Sequence, residues 1–242
     1  MRRANLHEWP VAILAGGLAT RLRPITQSEP KALVSVAGEP FLNHQLRLLH
    51  RHGFRKVVLC LGYLGEMIKA YYGTGEHLDL QLDYSFDGPH LLGTGGALKR
   101  ALPKLGDRFV VLYGDSYLST DYARITQAFM GSYKPAMMTV YKNENRWDRS
   151  NVEFDGSRIL RYDKEEVGTA MRYIDYGLGV FRSGAFNHWP ENERFDLADV
   201  YKQLLRDGQL AGFEVSERFY EMGSPAGLRE LEDFLRAEPA KP

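Results

Sequence analysis

The feature that most constrains this 242-residue chain is a set of short, continuously apolar runs that end at or beside a glycine. They read VAILAG at 11–16, KVVLCLG at 56–62 and FVVLYGD at 109–115. A strand with one face in water alternates apolar and polar residues, whereas a strand buried on both faces is apolar throughout. The runs therefore predict parallel strands inside one sheet that carries helices on both faces.

Helical patterns separate these runs and return near the C-terminus. Leucines recur at helical spacing over 42–49, and LGEMIKAYYG at 64–73 closes on a glycine. A helix is predicted around 123–130, and two more begin at a cap residue, Asp196 and Ser224. Between them lies a strand-dense region, PAMMTVYKN to YIDYGLGVFR. We predict an α/β fold with a mostly parallel, Rossmann-like central sheet and a smaller β-rich extension.

Composition excludes several function classes. Lysine plus arginine and aspartate plus glutamate both number 31, so the net charge is zero and does not attract the molecule to nucleic acid or to an anionic membrane. Cys60 is the single cysteine and lies in an apolar run, which predicts a buried thiol and no disulfide within the chain. The N-terminal apolar run is too short for a signal peptide or a membrane span. We expect a cytoplasmic protein without a nucleic-acid or membrane partner.

The stretch LAGGLATRLRPITQSEPKAL at 14–33 predicts a phosphate site. Gly16 and Gly17 expose backbone N–H groups because no side chains cover them, and Arg21 and Lys31 can neutralise phosphate oxygens. The alternative is a tight strand-to-loop turn with solvated charges. Neither a G-x-x-x-x-G-K-[ST] loop nor a G-x-G-x-x-G motif after the first strand is present in the sequence, which disfavours a P-loop ATPase or a hydride-transfer site.

The longer segment Leu14 to Pro40 resembles the signature of sugar-1-phosphate nucleotidyltransferases. Nearly every fixed position matches, but Ala19 stands where the family has glycine, and a positive φ there would strain alanine. The resemblance implies transfer of a nucleotidyl group from an NTP to a sugar 1-phosphate, with Mg²⁺, giving an NDP-sugar and pyrophosphate. It implies a role in making precursors of cell-surface glycans. Guanylyl or uridylyl transfer is favoured by similarity to heptose-phosphate guanylyltransferases and muramate-phosphate uridylyltransferases.

The resemblance also implies the nucleotide site. Arg21 and Lys31 would stabilise charge as pyrophosphate leaves, since in-line attack on the α-phosphorus needs alignment and cations rather than a protein nucleophile. The segment LLGTGGALKRAL is similar to the family's base-recognition loop, and its alternative is a plain helix N-terminus. The implied nucleotide-binding residues are Leu14, Ala15, Gly16, Gly17, Thr20, Gly95 and Gly96.

Two carboxylates are candidate ligands for Mg²⁺. Asp115 directly follows a predicted buried strand, at the sheet edge where α/β proteins bind ligands, and resembles the family's G-D metal motif. Glu221 in YEMGSP stands where the family usually has a second metal aspartate. The alternatives are a turn-forming aspartate and a surface glutamate.

The sugar side is implied by weaker similarities. RYDKE resembles the family's E-K-P segment, with Asp163 as an acceptor for sugar hydroxyls and Lys164 meeting the sugar phosphate. YIDYGLGVF resembles the strand whose glycine lies against the sugar ring, which makes Tyr176 and Gly177 candidates, and Asn151 adds a contact. For Tyr176 the alternative is core packing.

The resemblance covers almost the entire chain. It implies a single nucleotidyltransferase domain over 1–242, with a nucleotide half at 11–115, a sugar half with the closing helix at 116–242, and no C-terminal β-helix. We expect a homodimer without assigning its interface. A different class of function is also open, a regulatory homologue that binds nucleotide sugars without catalysis.

Overall fold

The structure is a computed structural model that describes residues 5–166 and 168–237. The strands of these residues are β1 (Val11–Leu14), β2 (Ser35–Val36), β3 (Glu39–Pro40), β4 (Lys56–Leu61), β5 (Gln81–Phe86), β6 (Arg108–Tyr113), β7 (Ser116–Tyr117), β8 (Ala136–Lys142), β9 (Val152–Phe154), β10 (Ile159–Tyr162), β11 (Tyr173–Arg182), β12 (Leu210–Val215) and β13 (Tyr220–Glu221). The helices are α1 (Phe41–Arg51), α2 (Gly65–Tyr72), α3 (Gly93–Leu105), α4 (Tyr122–Ser132), α5 (Leu197–Arg206) and α6 (Pro225–Ala237).

A central sheet is built around the predicted apolar runs. Its strands β5, β4, β1 and β6 are neighbours in that order and are parallel, with Val11 opposite both Val57 and Val110. Next to β6 lies β11, which is antiparallel to β6 and to β8, and β12 runs parallel to β8. The antiparallel pair β9 and β10 joins the sheet through β11. The predicted mostly parallel α/β sheet with a β-rich extension is confirmed.

Apolar side chains of alternating strand residues reach both faces of the sheet. In β1, Val11 and Ile13 join the apolar cluster that contains residues of α1, α2 and α4, whereas Ala12 joins the cluster that contains residues of α3 and α5. This explains why the strand sequences are continuously apolar. Full burial of each such valine or isoleucine stabilises the fold by about 1.5–3 kcal/mol, before entropy costs. Cys60 is buried among them, as predicted.

The helix ends agree with the sequence signals. Helix α2 ends at Tyr72, and Gly73, which has φ +54, is its C-cap. Asp196 and Asp199 form a capping box at the start of α5, and the Ser224 hydroxyl accepts a hydrogen bond from the Gly227 N–H at 3.1 Å at the start of α6. Of the helices in the described ranges, none is both long and apolar enough to cross a membrane.

Candidate functional site

A cavity of about 510 Å³ opens at the carboxyl edge of the parallel strands. It lies beside the loops that follow β1 and β6, where a parallel sheet places its ligand-binding residues. The residues predicted from the sequence that line this first cavity are Leu14, Ala15, Gly16, Gly17, Thr20, Arg21, Lys31 and Asp115. The structure therefore brings together the loop that contains Gly16 and Gly17 (the glycine loop), the cations Arg21 and Lys31, and the metal candidate Asp115.

Gly16 and Gly17 have different structural roles in this loop. A Cβ on Gly16 would lie 2.9 Å from the Gly62 nitrogen, so only glycine lets the loop after β1 approach the loop after β4. The Gly16 carbonyl accepts a hydrogen bond from the Tyr63 N–H at 3.3 Å. A Cβ on Gly17 would have no described atom within 4 Å. Gly16 is thus required by packing between the two loops, whereas a side chain at Gly17 would meet no neighbouring atom in the described structure.

Ala19 adopts the left-handed conformation, with φ +47 and ψ 43. The strain expected from the sequence is therefore present, and a left-handed L-residue costs roughly 1–2 kcal/mol relative to glycine. The Thr26 hydroxyl donates a hydrogen bond to the Ala19 carbonyl at 2.7 Å. This contact helps to hold the turn in spite of the strain.

Lys31 and Asp115 form an ion pair at the edge of the first cavity, with Nζ 2.9 Å from Oδ2. The Ser116 hydroxyl donates to the other carboxylate oxygen at 3.3 Å. Burial acts to raise the pKa of Asp115, but the Lys31 ammonium and the Ser116 hydroxyl outweigh it, so this pKa is lowered. Asp115 is therefore an anion at neutral pH.

Glu221 is brought beside Asp115 by a short strand pair. β13 is antiparallel to β7, which places Glu221 opposite Ser116, and the Met222 N–H donates to the Asp115 carbonyl at 2.9 Å. Burial raises the pKa of Glu221 and the Asp115 charge raises it further, while Arg21 lowers it in part. A Cβ on Gly223 would lie 2.8 Å from Arg21 Nη2 and 3.2 Å from Glu221 Oε2, so this glycine allows both side chains to come close.

The pair of carboxylates fits a divalent cation. Mg²⁺ prefers carboxylate oxygens and usually takes one or two of them together with substrate phosphates. Burial raises the pKa of Glu221 and the Asp115 charge adds to this, and a bound cation would offset both effects. No group of three or more histidine, cysteine, aspartate or glutamate side chains within 5–166 and 168–237 forms a metal cage without substrate.

A second cavity of about 340 Å³ adjoins the first, and Tyr113 and Asp115 line both. The remaining predicted residues that line the second cavity are Asn151, Lys164, Tyr176, Gly177 and Glu221. Residues from distant parts of the chain thus converge there, and Asp115 stands at the junction between the two cavities.

Lys164 is fixed by groups around it in the second cavity. Its Nζ lies 3.5 Å from the Tyr113 hydroxyl, 5.1 Å from the centre of that ring, and 4.0 Å from Asp175 Oδ2. Burial acts to lower the pKa of Lys164, but Tyr113 and Asp175 outweigh it and raise this pKa. Lys164 is therefore a permanent cation.

Asp175 is a site residue that the sequence analysis missed. Its carboxylate is only 4% exposed and accepts hydrogen bonds from the Gly177 N–H at 3.1 Å and from the Tyr162 hydroxyl at 3.2 Å. The Asn151 side-chain oxygen accepts the Asp175 N–H at 2.9 Å. The available signal was an aspartate in the middle of an apolar strand, because a charge there needs partners.

Tyr176 and Gly177 lie at a register shift between β11 and β8. Gly177 has φ +88, which favours glycine, and its Cβ position is 3.4 Å from Tyr113 Cδ2. The Tyr176 side chain is buried, and its ring packs near Tyr141 and Phe219. The core-packing alternative therefore describes the Tyr176 ring.

Asp163 is not brought into either of these cavities. Its carboxylate accepts the N–H groups of Glu165 at 2.9 Å and Glu166 at 3.1 Å, and it pairs with Lys202 at 3.0 Å. The two backbone hydrogen bonds, followed by the Lys202 contact, lower the pKa of Asp163 to about 2. The side chain stabilises a turn and lines a surface groove with Lys202. Its role toward a sugar stays a prediction that this geometry does not support.

Gly95 and Gly96 lie in the first turn of α3 but do not line the first cavity in the described part of the chain. Their N–H groups both donate to the Phe195 carbonyl, at 3.0 and 3.2 Å. A Cβ on Gly95 would lie 2.4 Å from Phe195 Cδ2, and one on Gly96 would lie 2.4 Å from the Glu193 carbonyl oxygen. These glycines are needed for packing, and their contact with a nucleotide stays a prediction.

The first cavity also contains lining residues that the sequence analysis missed, which include Asp87, Thr94, Arg194 and Asp196.

Comparison with known proteins identifies relatives by sequence. The sequence is 29% identical over 215 residues to UTP–glucose-1-phosphate uridylyltransferase of Synechocystis sp., which covers 81% of this chain and 55% of that protein. It is 28% identical over 227 residues to D-glycero-α-D-manno-heptose 1-phosphate guanylyltransferase of Aneurinibacillus thermoaerophilus, which covers 93% of this chain and 97% of that protein. The chain thus spans about half the length of the first relative and nearly all of the second.

The fold matches as well. The crystal structure of HddC from Yersinia pseudotuberculosis complexed with GMP-PN superposes with a TM-score of 0.76 at 23% identity, covering 94% of this chain and 99% of that one. The sequence profile described as Nucleotidyl transferase matches residues 11–238. Enzymes of this family typically use a divalent metal. The resemblance first seen in Leu14 to Pro40 is therefore confirmed over nearly the whole chain, and this protein belongs to the nucleotidyl transferase family.

Proposed function

We propose that this protein transfers a nucleotidyl group from an NTP to a sugar 1-phosphate, giving an NDP-sugar and pyrophosphate. The observation that carries the proposal is the junction of two cavities at Asp115 and Tyr113. One cavity has the glycine loop with Arg21 and Lys31, and the other has Lys164. Two phosphorylated substrates can therefore meet at one point with cations on either side.

The first cavity accounts for the nucleotide. Backbone N–H groups of the Gly16–Gly17 loop would approach its phosphates, and Arg21 and Lys31 would stabilise negative charge on the departing pyrophosphate. A sugar-phosphate oxygen forms the new bond to the α-phosphorus while the bond to the bridging oxygen of the β-phosphate breaks. This in-line exchange needs no protein nucleophile.

The second cavity accounts for the sugar phosphate. Lys164 would hold the phosphate of this substrate, and Tyr113 and Asp175 hold the Lys164 ammonium in the cavity that Asp115 also lines. Asn151 and Gly177 line the same cavity and would contact the sugar ring. The orientation of the attacking oxygen would thus be set by groups that are already fixed in the protein.

Asp115 and Glu221 would hold a divalent cation, which we take to be Mg²⁺. When bound, Mg²⁺ supplies charge neutralisation on the phosphate oxygens of the nucleotide. The product would serve as an activated sugar for cell-surface glycans and would be made in the cytoplasm, where nucleoside triphosphates are available.

Pyrophosphate release tests the proposal. Each of ATP, GTP, CTP, UTP and dTTP is mixed with Mg²⁺ and with glucose, mannose, heptose or muramate 1-phosphate. We expect one pair to release pyrophosphate only when both substrates are present, and Asp115→Asn to abolish this Mg²⁺-dependent activity.

Two results would contradict the proposal. Pyrophosphate released without sugar phosphate would indicate an NTP hydrolase. Tight binding of an NDP-sugar with no pyrophosphate from any pair would favour the regulatory homologue.

A further inference from the structure

Asp87 is a buried carboxylate in the first cavity that the proposed reaction does not use. It directly follows β5 and is 5% exposed. Its Oδ2 accepts the Leu92 N–H at 3.0 Å, and Arg100 donates to the carbonyl of Phe86 at 2.9 Å and also to that of Asp87. The backbone around Asp87 is therefore held in place, and its carboxylate has a fixed position.

The strand order separates Asp87 from the phosphate-binding end of the cavity. Asp115 follows β6, the glycine loop follows β1, Gly62 follows β4 and Asp87 follows β5. Neighbouring strands are about 4.8 Å apart, so Asp87 stands three spacings, roughly 14 Å, from Asp115. A nucleotide whose phosphates meet Lys31 beside Asp115 would extend its base toward the end of β5.

The loops that follow β1 and β4 approach each other closely, which supports this direction of the nucleotide across the cavity. A Cβ on Gly62 would lie 2.6 Å from the Gly16 carbonyl oxygen and 3.3 Å from Asp87 Oδ2. The Asp87 carboxylate thus sits beside the glycine loop and not on a distant rim. The apolar side chains of Ala15, Leu91 and Ala97 line the same cavity and offer surface to a planar base.

A carboxylate at this end discriminates among bases. An ionised carboxylate only accepts hydrogen bonds, with about four lone-pair sites on two oxygens, so the contact to Leu92 leaves capacity for a ligand. The Watson–Crick edge of guanine carries two adjacent donors, N1–H and the N2 amine. The corresponding edges of uracil, thymine, cytosine and adenine place an acceptor beside their donor, which a carboxylate would repel.

We propose, on the basis of the proposed function, that Asp87 is the specificity-determining residue for the base and makes GTP the preferred nucleotide. Asp87 accepts both guanine donors, and its negative charge also disfavours phosphate at this end of the cavity. The nucleotide is therefore bound in one direction, with its base near β5 and its phosphates near β6.

Equilibrium binding of GTP, ITP and UTP to the full chain with Mg²⁺ tests this proposal. ITP is the informative probe because hypoxanthine differs from guanine only in lacking the N2 amine. We expect GTP to bind more tightly than ITP by about 10-fold or more, as loss of one hydrogen bond to a charged group predicts, and UTP to bind more weakly than GTP. Equal or tighter binding of UTP would overturn the proposal.

Asp87→Asn is the matching variant. Asparagine keeps an oxygen for the Leu92 N–H but replaces the second acceptor with a donor, so the ratio of GTP to ITP affinity should fall to within about threefold of unity. Asp83→Asn is the control, since Asp83 also belongs to β5 but its carboxylate pairs with Lys56 at 3.9 Å. An unchanged ratio in folded Asp87→Asn would overturn the proposal.

Binding is measured rather than turnover, so the two proposals can fail separately. Suppose that binding is selective for GTP and depends on Asp87, but that no substrate pair releases pyrophosphate. This result would support the assignment of Asp87 and contradict the transfer reaction. Circular dichroism and thermal unfolding of both variants show whether they remain folded.

Discussion

The two cavities are built in different ways. Nearly half of the residues that line the first cavity come from one continuous segment, 14–33, in which glycines leave the backbone uncovered and cations follow within one loop. The second is assembled from residues 113, 115–116, 148–149, 151, 164, 174–177, 219 and 221, and its cation, Lys164, contacts Tyr113 and the buried carboxylate of Asp175. The proposed nucleotide site thus depends largely on a local sequence motif, whereas the proposed sugar site depends on contacts between distant parts of the chain. Variants on each side should therefore produce different kinetic effects.

The largest effect is expected from Lys31→Met. Removing this ammonium from Asp115 and from the departing pyrophosphate should lower kcat by about 10²-fold or more with any sugar phosphate. Steady-state pyrophosphate release measures the effect. Lys142→Met, which changes a lysine that is 55% exposed, is the control and should retain the wild-type rate. A near-normal rate for folded Lys31→Met would remove this residue from catalysis.

Lys164→Met should separate the two cavities. We expect kcat/KM for the sugar phosphate to fall about 10- to 100-fold because a fixed cation is lost, while the affinity for NTP alone stays within about twofold. Titration of NTP and of sugar phosphate in parallel measures both values. Equal losses in the two affinities would mean that the cavities are not distinct.

Gly16→Ala and Gly17→Ala test the backbone of the first cavity. The alanine Cβ at position 16 meets the Gly62 nitrogen at 2.9 Å, and this overpacking should lower the free energy of unfolding by about 1–3 kcal/mol and weaken NTP binding. At position 17 the added methyl group meets no described atom within 4 Å and should cost less stability. Chemical denaturation compares the two variants, and similar losses would argue against the close approach of Gly16.

Ala19→Gly should be stabilising. Glycine relieves the strain of φ +47 but gains freedom in the unfolded chain, so the net increase in the free energy of unfolding is about 1 kcal/mol or less. Thermal unfolding measures it. A clear decrease in stability would show that the left-handed conformation is not retained in solution.

The smallest effect concerns Asp163. Its pKa of about 2 lies below the ordinary value of 3.8, so its ionised form stabilises the fold above pH 4 and this contribution is lost as the pH falls toward 2. Asp163→Asn should lower the free energy of unfolding at pH 7 by less than about 1 kcal/mol and make this free energy depend less on pH in acid.

The same variant tests the sugar contact. Because the Asp163 side chain pairs with Lys202, we expect KM for the sugar phosphate to change less than about threefold. A tenfold rise in KM would instead support the sugar contact implied by the RYDKE segment.

Sequence patterns predicted what depends on local structure. The apolar runs predicted β1, β4 and β6, glycines and caps predicted helix ends, and the departure at Ala19 predicted a strained turn. What could not be predicted depends on distant partners. Asp175 acquires its side-chain partners Tyr162 and Lys164 from β10 and the residues that follow it, and the glycines of α3 contact Phe195, which lies a hundred positions away in the sequence.

Strand β11 is hydrogen-bonded to β6 on one side and to β8 on the other. Both proposed substrate sites therefore border one continuous sheet, and moving β6 away from β11 would break main-chain hydrogen bonds between them. Inserting one residue within β6 would turn Asp115 to the opposite side of the sheet. The proposed sites for the NTP and for the sugar phosphate would then no longer share this residue. Because hydrogen bonding sets the spacing between neighbouring strands at about 4.8 Å, loops and side chains are the parts of this scaffold that can change most readily to accommodate a different substrate.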